Sequence, residues 1–173
     1  SNLPSGWIAS RGGTIMASAD MMQITVTGRG GHASQPHRAL DPIPVACEIV
    51  QALQTMVTRT IDVFDPSVVT VGRITAGTTS NVIPETAEIL GTIRAVSEAT
   101  RAKVRDGVRR VAEGVAAAHD AQVAVEFYDG YPVTVNNPGS AEFALDVARE
   151  VVGDKATVTF PNPIMGAEDF SYV

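Results

Sequence analysis

Ten residues, Gly28-Arg29-Gly30-Gly31-His32-Ala33-Ser34-Gln35-Pro36-His37, place two imidazoles five positions apart in a glycine-rich stretch. The glycines before His32 allow close backbone approach and leave the ring projecting from a loop, where it can donate a hydrogen bond to an oxyanion. An ordinary loop histidine is the competing reading. Zinc ligation by His32 and His37 alone lacks a third and fourth ligand; His37 is more simply a local hydrogen-bond partner that fixes the turn at Pro36. Asn81, just before Val82-Ile83-Pro84, either caps its own loop or donates an amide bond to a ligand. Arg94 stands among apolar and small residues, and its planar fork suits a carboxylate held by two parallel bonds, with a plain strand-end arginine as the alternative. Glu168 and Asp169 are adjacent, and adjacent side chains rarely meet one ligand. His119, beside Asp120, reads as a favourable charge at a helix C-terminus. The single cysteine, Cys47, is expected as a small buried side chain and leaves no internal disulfide.

The elements that must position these groups follow from periodicity. From Thr14 to Thr27 the chain alternates, with Met22, Ile24 and Val26 on one face, which predicts a half-buried strand. Asp41-Pro42 predicts a helix start, and Val45, Ala46, Ile49, Val50, Leu53, Met56 and Val57 form its apolar stripe to about Thr58. Strands are predicted over 67–75 and 87–96, separated by the loop Ala76 to Pro84. Ser97 predicts the cap of a second helix with a stripe of Val104, Val108, Val111, Ala112, Val115 and Ala118, and with Arg101, Lys103, Arg105, Arg109 and Arg110 on a solvated face. A fourth strand is predicted over 122–128. The order β-α-β-β-α-β is the split-βαβ, ferredoxin-like pattern. A third helix over 138–152 and a short strand over 156–160 have no place in that unit and predict part of a second domain.

Composition narrows the classes. Thirteen Lys and Arg against nineteen Asp and Glu give a net charge of −6 over 173 residues, with 45% hydrophobic and 18% charged residues. This balance predicts globular structure and offers no basic surface for phosphate, so nucleic acid is set aside as a partner. No apolar run approaches the roughly twenty residues of a membrane-spanning helix, and no leader opens the chain, so no membrane partner and a cytoplasmic location are expected. The chain opens on Ser1-Asn2, read as a cloning remnant, and is expected to be a piece of a longer protein.

Five motifs then agree in order: the His32 loop; Asp41-Pro42-Ile43; Ala76-Gly77-Thr78-Thr79-Ser80-Asn81-Val82-Ile83-Pro84; Gly91-Thr92-Ile93-Arg94; and Met165-Gly166-Ala167-Glu168-Asp169-Phe170-Ser171. Together they resemble the metal-dependent amidohydrolases of the aminoacylase and glutamate carboxypeptidase superfamily, in the hippurate hydrolase and indole-acetyl-amino-acid hydrolase branch. The resemblance implies an α+β fold: a ferredoxin-like βαββαβ lid with a four-stranded antiparallel sheet and two helices, over 14–130, flanked by catalytic-domain pieces over 1–13 and 131–173. It implies a homodimer formed through the lid, by way of the first helix and the edge strand over 67–75, and a small N-acyl amino acid as substrate. His32 matches the lid histidine that reaches the partner's active site and stabilises the tetrahedral oxyanion. Asn81 and Arg94 match positions that bind the substrate carboxylate, and Gly166 a loop backbone near it. The family's two divalent ions, zinc or manganese, are held by motifs this chain does not carry, nor does it carry the family's general-base glutamate. The chain alone is therefore expected to hold no metal and to be inactive. The alternative is a stand-alone ferredoxin-like module that dimerises or binds a small carboxylate.

Overall fold

The computed structural model describes residues 3–173; Ser1-Asn2, read above as a cloning remnant, lie outside them. Strand β1 is Ile8–Ser10 and β2 Gly13–Met16, followed by β3 (Asp20–Thr27), β4 (Gly31–His32) and α1 (Pro42–Thr60). Then come β5 (Ser67–Ala76), β6 (Val82–Ile83), β7 (Thr86–Ala95), α2 (Glu98–Ala118) and β8 (Gln122–Asp129). The tail adds β9 (Thr134–Asn136), α3 (Pro138–Val152) and β10 (Thr157–Thr159).

The central sheet has the order β5-β7-β3-β8 and is antiparallel throughout. Met22, Ile24 and Val26 of β3 and Ile89 and Ile93 of β7 pack against Ile49 and Leu53 of α1 and Val104 and Val108 of α2 in one buried cluster. Both helices thus cover one face, the ferredoxin-like arrangement that the element order predicts. Their starts are set by side-chain caps: Asp41 accepts from the Ile43 N–H and Ser97 from the Thr100 N–H.

Four local expectations are corrected. The alternation over 14–27 is two strands, because the chain turns at Ala17-Ser18, where the Ser18 N–H donates to the Ala95 carbonyl at 2.8 Å; β2 pairs instead with β9. The stripe of α2 ends on buried Ala116 while Ala118 is exposed, the helix turning its last residues away from the sheet. Cys47 is exposed, since Ala46 and Ile49 take the buried side of that turn. Arg101 is no part of a solvated face: its side chain keeps only 12% of its exposure.

Arg101 grips Asp20 through two bonds, Nε to Oδ2 at 2.8 Å and Nη2 to Oδ1 at 2.5 Å. The Asp20 carboxylate also accepts from the Gly130 N–H, and Arg101 reaches Glu98, which accepts from the Val133 N–H. One buried pair therefore ties β3 to α2 and to the connector after β8. Burial pushes the Asp20 carboxyl upward, but the Arg101 bonds and charge, the Gly130 N–H and Arg105 outweigh it and hold Asp20 below its ordinary value.

Replacing Arg101 with Met strips the buried carboxylate of its two-bond partner, leaves it only the longer charged contact with Arg105, and is expected to remove about 3 kcal/mol of stability, read by urea unfolding. Because the folded pKa of Asp20 is depressed, its contribution is present above the unfolded value of about 3.9 and fades as pH falls through the folded one. Asp20→Asn should therefore flatten the loss of thermal stability below about pH 4, whereas an unchanged acid slope would deny the pair its role. Gly28 lies so close to β4's approach that an added Cβ would sit 2.0 Å from the Leu40 carbonyl oxygen. Gly28→Ala should cost about 1–3 kcal/mol and shift the amide signals of residues 29–33 in a two-dimensional spectrum.

Candidate functional site at the two ends of the lid sheet

The glycine-rich loop and the loop Ala76 to Pro84 are both read from sequence as irregular, yet they pair. Gly31 stands opposite Ile83 and His32 opposite Val82 in a two-residue antiparallel ladder, and the Ala33 N–H donates to the Asn81 carbonyl at 3.1 Å. The ladder is anchored at its base, where the Gly28 N–H donates to the Glu85 carbonyl and Arg29 and Leu40 exchange backbone bonds. Ile83 is buried beneath it. His32 on β4 and Asn81, in the turn directly before β6, are 49 positions apart and both exposed, and the ladder brings their backbones side by side.

Both carry a partner. The Ser34 N–H donates to His32 Nδ1 at 3.2 Å, and the Ser34 hydroxyl oxygen is 2.7 Å from the same nitrogen. The Thr79 hydroxyl donates to Asn81 Oδ1 at 3.0 Å. Sequence spacing singles out neither Ser34 nor Thr79, since a hydroxyl two positions away is a common loop feature; the signal lies in the pairing of the loops.

Arg94 is elsewhere. It is half-buried near the far end of β7, opposite Val68, and among the described residues it forms no ion pair. Eight residues separate it from Thr86 at the His32 end, about 27 Å of extended strand. Gly166 belongs to the Arg94 end: the Ala95 carbonyl bonds Ser18, the Ala17 N–H donates to Ile164, and a Cβ at Gly166 would lie 3.1 Å from Met16 Cε. The structure thus brings His32 to Asn81 and Arg94 to the neighbourhood of Gly166, and keeps the two pairs apart.

The remaining candidates separate from both ends. His37 sits exposed in a single 3-10 turn, with no side-chain hydrogen bond among the described residues, so the turn at Pro36 stands on backbone bonds instead. His119 caps α2 and its Nε2 lies 2.6 Å from Glu48 of α1, a cross-helix contact beyond the helix-end charge read from sequence. Glu168 and Asp169 are exposed. Among the described residues no three His, Cys, Asp or Glu side chains are grouped to hold a metal. A groove of about 530 Å³ beside Arg105, Arg109 and Tyr172 touches none of the four candidate residues. Among the described residues no helix is long and apolar enough to cross a membrane.

The chain matches the M20 peptidase dimerisation domain over residues 18–120. It is 40% identical over 172 residues to thermostable carboxypeptidase 2 of Saccharolobus solfataricus, covering 99% of this chain and 43% of that protein. It is 38% identical over 160 residues to hippurate hydrolase of Campylobacter jejuni, covering 92% and 42%. Among solved structures, the Bacillus subtilis YXEP protein, a dinuclear metal binding peptidase of the M20 family, superposes with a TM-score of 0.76 at 32% identity, covering 99% of this chain and 41% of that one. The chain spans less than half the length of these relatives. With the sheet's strand order and the similarity along this chain in agreement, this chain belongs to the M20 family of metal-dependent amidohydrolases and peptidases and carries its dimerisation domain.

Proposed function

We propose that the chain is the lid and adjoining segments of a longer, homodimeric hydrolase that cleaves the amide bond of small N-acyl amino acids, and that the chain alone does not turn substrate over. The observation that carries this reading is the division of the candidate residues between two ends of one sheet. His32 and Asn81 would act on the partner subunit's substrate, while Arg94 and the backbone at Gly166 serve the substrate of their own subunit. The lid is assigned to 14–130 and the catalytic-domain segments to 1–13 and 131–173.

In this reading the His32 ring donates to the carbonyl oxygen as it gains charge, a bond worth more in the tetrahedral state than in the planar amide. Asn81 donates an amide N–H to the same bound molecule. Arg94, free of an internal ion pair, holds the substrate carboxylate with its fork. The described residues do not supply a group fit for the two divalent ions of the family, so those ions and the general base would come from the rest of the longer chain, and no step is assigned to them here.

The dimer would form through β5, an edge of the sheet, by strand pairing with its symmetry mate. Val69 faces the core at 5% exposure and cannot report on that edge without unfolding the sheet, whereas Thr70 is exposed. Light scattering of this chain should give twice the chain mass, and Thr70→Glu, which sets like charges near each other across the two-fold axis, should give a folded monomer. A wild-type monomer would contradict the edge assignment. In the full-length hydrolase His32→Ala should lower kcat on an N-acyl amino acid on the order of a hundredfold with little change in KM; unchanged kcat would remove His32 from the reaction.

A further inference from the structure

We infer that Ser34 and Thr79 are positioning residues, each occupying the acceptor atom of its site neighbour so that His32 and Asn81 present only hydrogen-bond donors to a ligand; the inference rests on the reading of those two residues given above and names the chemistry they accept. A backbone N–H cannot share its line to Nδ1 with a second proton, so the Ser34 N–H at 3.2 Å assigns the ring proton of neutral His32 to Nε2. The Ser34 hydroxyl, 2.7 Å from Nδ1, donates to it as well and deepens the preference. The Asn81 amide is fixed in the same sense: with Oδ1 accepting from the Thr79 hydroxyl, the outward atom is Nδ2 with its two protons.

The two hydroxyls lie one on each loop of the β4–β6 ladder, and each reaches two residues along its own strand to the atom it occupies. Their effect is electrostatic. A neutral imidazole and a carboxamide are each half acceptor, and an acceptor turned toward a carbonyl or carboxylate oxygen would repel it. With both acceptors engaged internally, the exposed pair favours an oxygen that carries or develops negative charge, and does so without needing a protonated ring. The ligand class is therefore an oxyanion or a carbonyl oxygen becoming one.

The test uses this chain alone and no substrate. Long-range nitrogen–proton correlation spectra at a pH where His32 is neutral report its tautomer, and relaxation of the Asn81 side-chain amide reports its order. The wild type should show His32 protonated on Nε2 and an ordered Asn81 amide. Ser34→Ala should shift the tautomer ratio toward Nδ1–H by about fivefold, the worth of one hydrogen bond, with Ser34→Thr restoring it and Asn81 unmoved. Thr79→Val should lower the Asn81 order parameter, with Thr79→Ser restoring it and His32 unmoved. A wild-type ring protonated on Nδ1, or variants indistinguishable from wild type, would overturn the inference while leaving the turnover test of His32 untouched; loss of turnover failing in His32→Ala would instead undo the underlying reading and leave the tautomer result standing.

Discussion

The length and stiffness of β7 constrain everything else in this molecule. Its ten residues are paired on both sides, by β5 and β3, and one face is sealed by Ile89 and Ile93 packing under α1 and α2. A strand held in this way cannot bend to bring its two ends together. Arg94 near one end is therefore kept about 27 Å along the strand from Thr86, which lies at the end beside the β4–β6 ladder that holds His32. If one ligand is to meet both His32 and Arg94, it can do so only with one of them contributed by a second copy. Dimerisation is then a requirement for assembling the site and more than a means of stabilising the fold.

The two ends are built by different physics. At the Arg94 end the sheet is locked by a buried ion pair: Asp20 stands opposite Ile93 in the ladder, and its carboxylate is gripped by Arg101 and the Gly130 N–H. Such a pair does not by itself add much to stability, since desolvation offsets most of the attraction, but it tolerates no alternative arrangement of β3, α2 and the connector after β8. At the His32 end no ion pair is formed among the described residues, and most of the loop is exposed. Order comes from a two-residue ladder between two short strands, a buried Ile83 and a glycine that lets the Leu40 carbonyl approach. With its loop residues mostly exposed, that end is the natural place for a segment that adjusts.

Much of the scaffold was legible in the sequence because its signals are local. The caps Asp41 and Ser97, the stripe through Ile49 and Leu53, and the alternation of Met22, Ile24 and Val26 each specify an element from residues within one or two turns of each other. The pairing of β4 with β6 was not legible, since two-residue strands carry no period and His32 pairs with Val82, 50 positions away; the motif resemblance pointed to His32 and Asn81 without indicating that they adjoin. Arg101 was misread for a related reason. It sits in a basic run that looks solvated, and only the fold shows that its partner, Asp20, is 81 residues earlier on the strand beneath it. Cys47 illustrates the limit of periodicity itself, since a one-residue error in the helix face converts a buried side chain to an exposed one.

The most direct test of the divided site is complementation between two disabled dimers of the full-length hydrolase, one carrying His32→Ala and the other Arg94→Ala, mixed under conditions that exchange subunits. If His32 of one subunit serves the site that uses Arg94 of the other, each mixed dimer holds one intact site and one doubly damaged site, and roughly a quarter of the wild-type activity should return at equal mixing. No recovery, with subunit exchange verified by mass, would mean that both residues serve one site within a single subunit and would contradict the division on which the account rests.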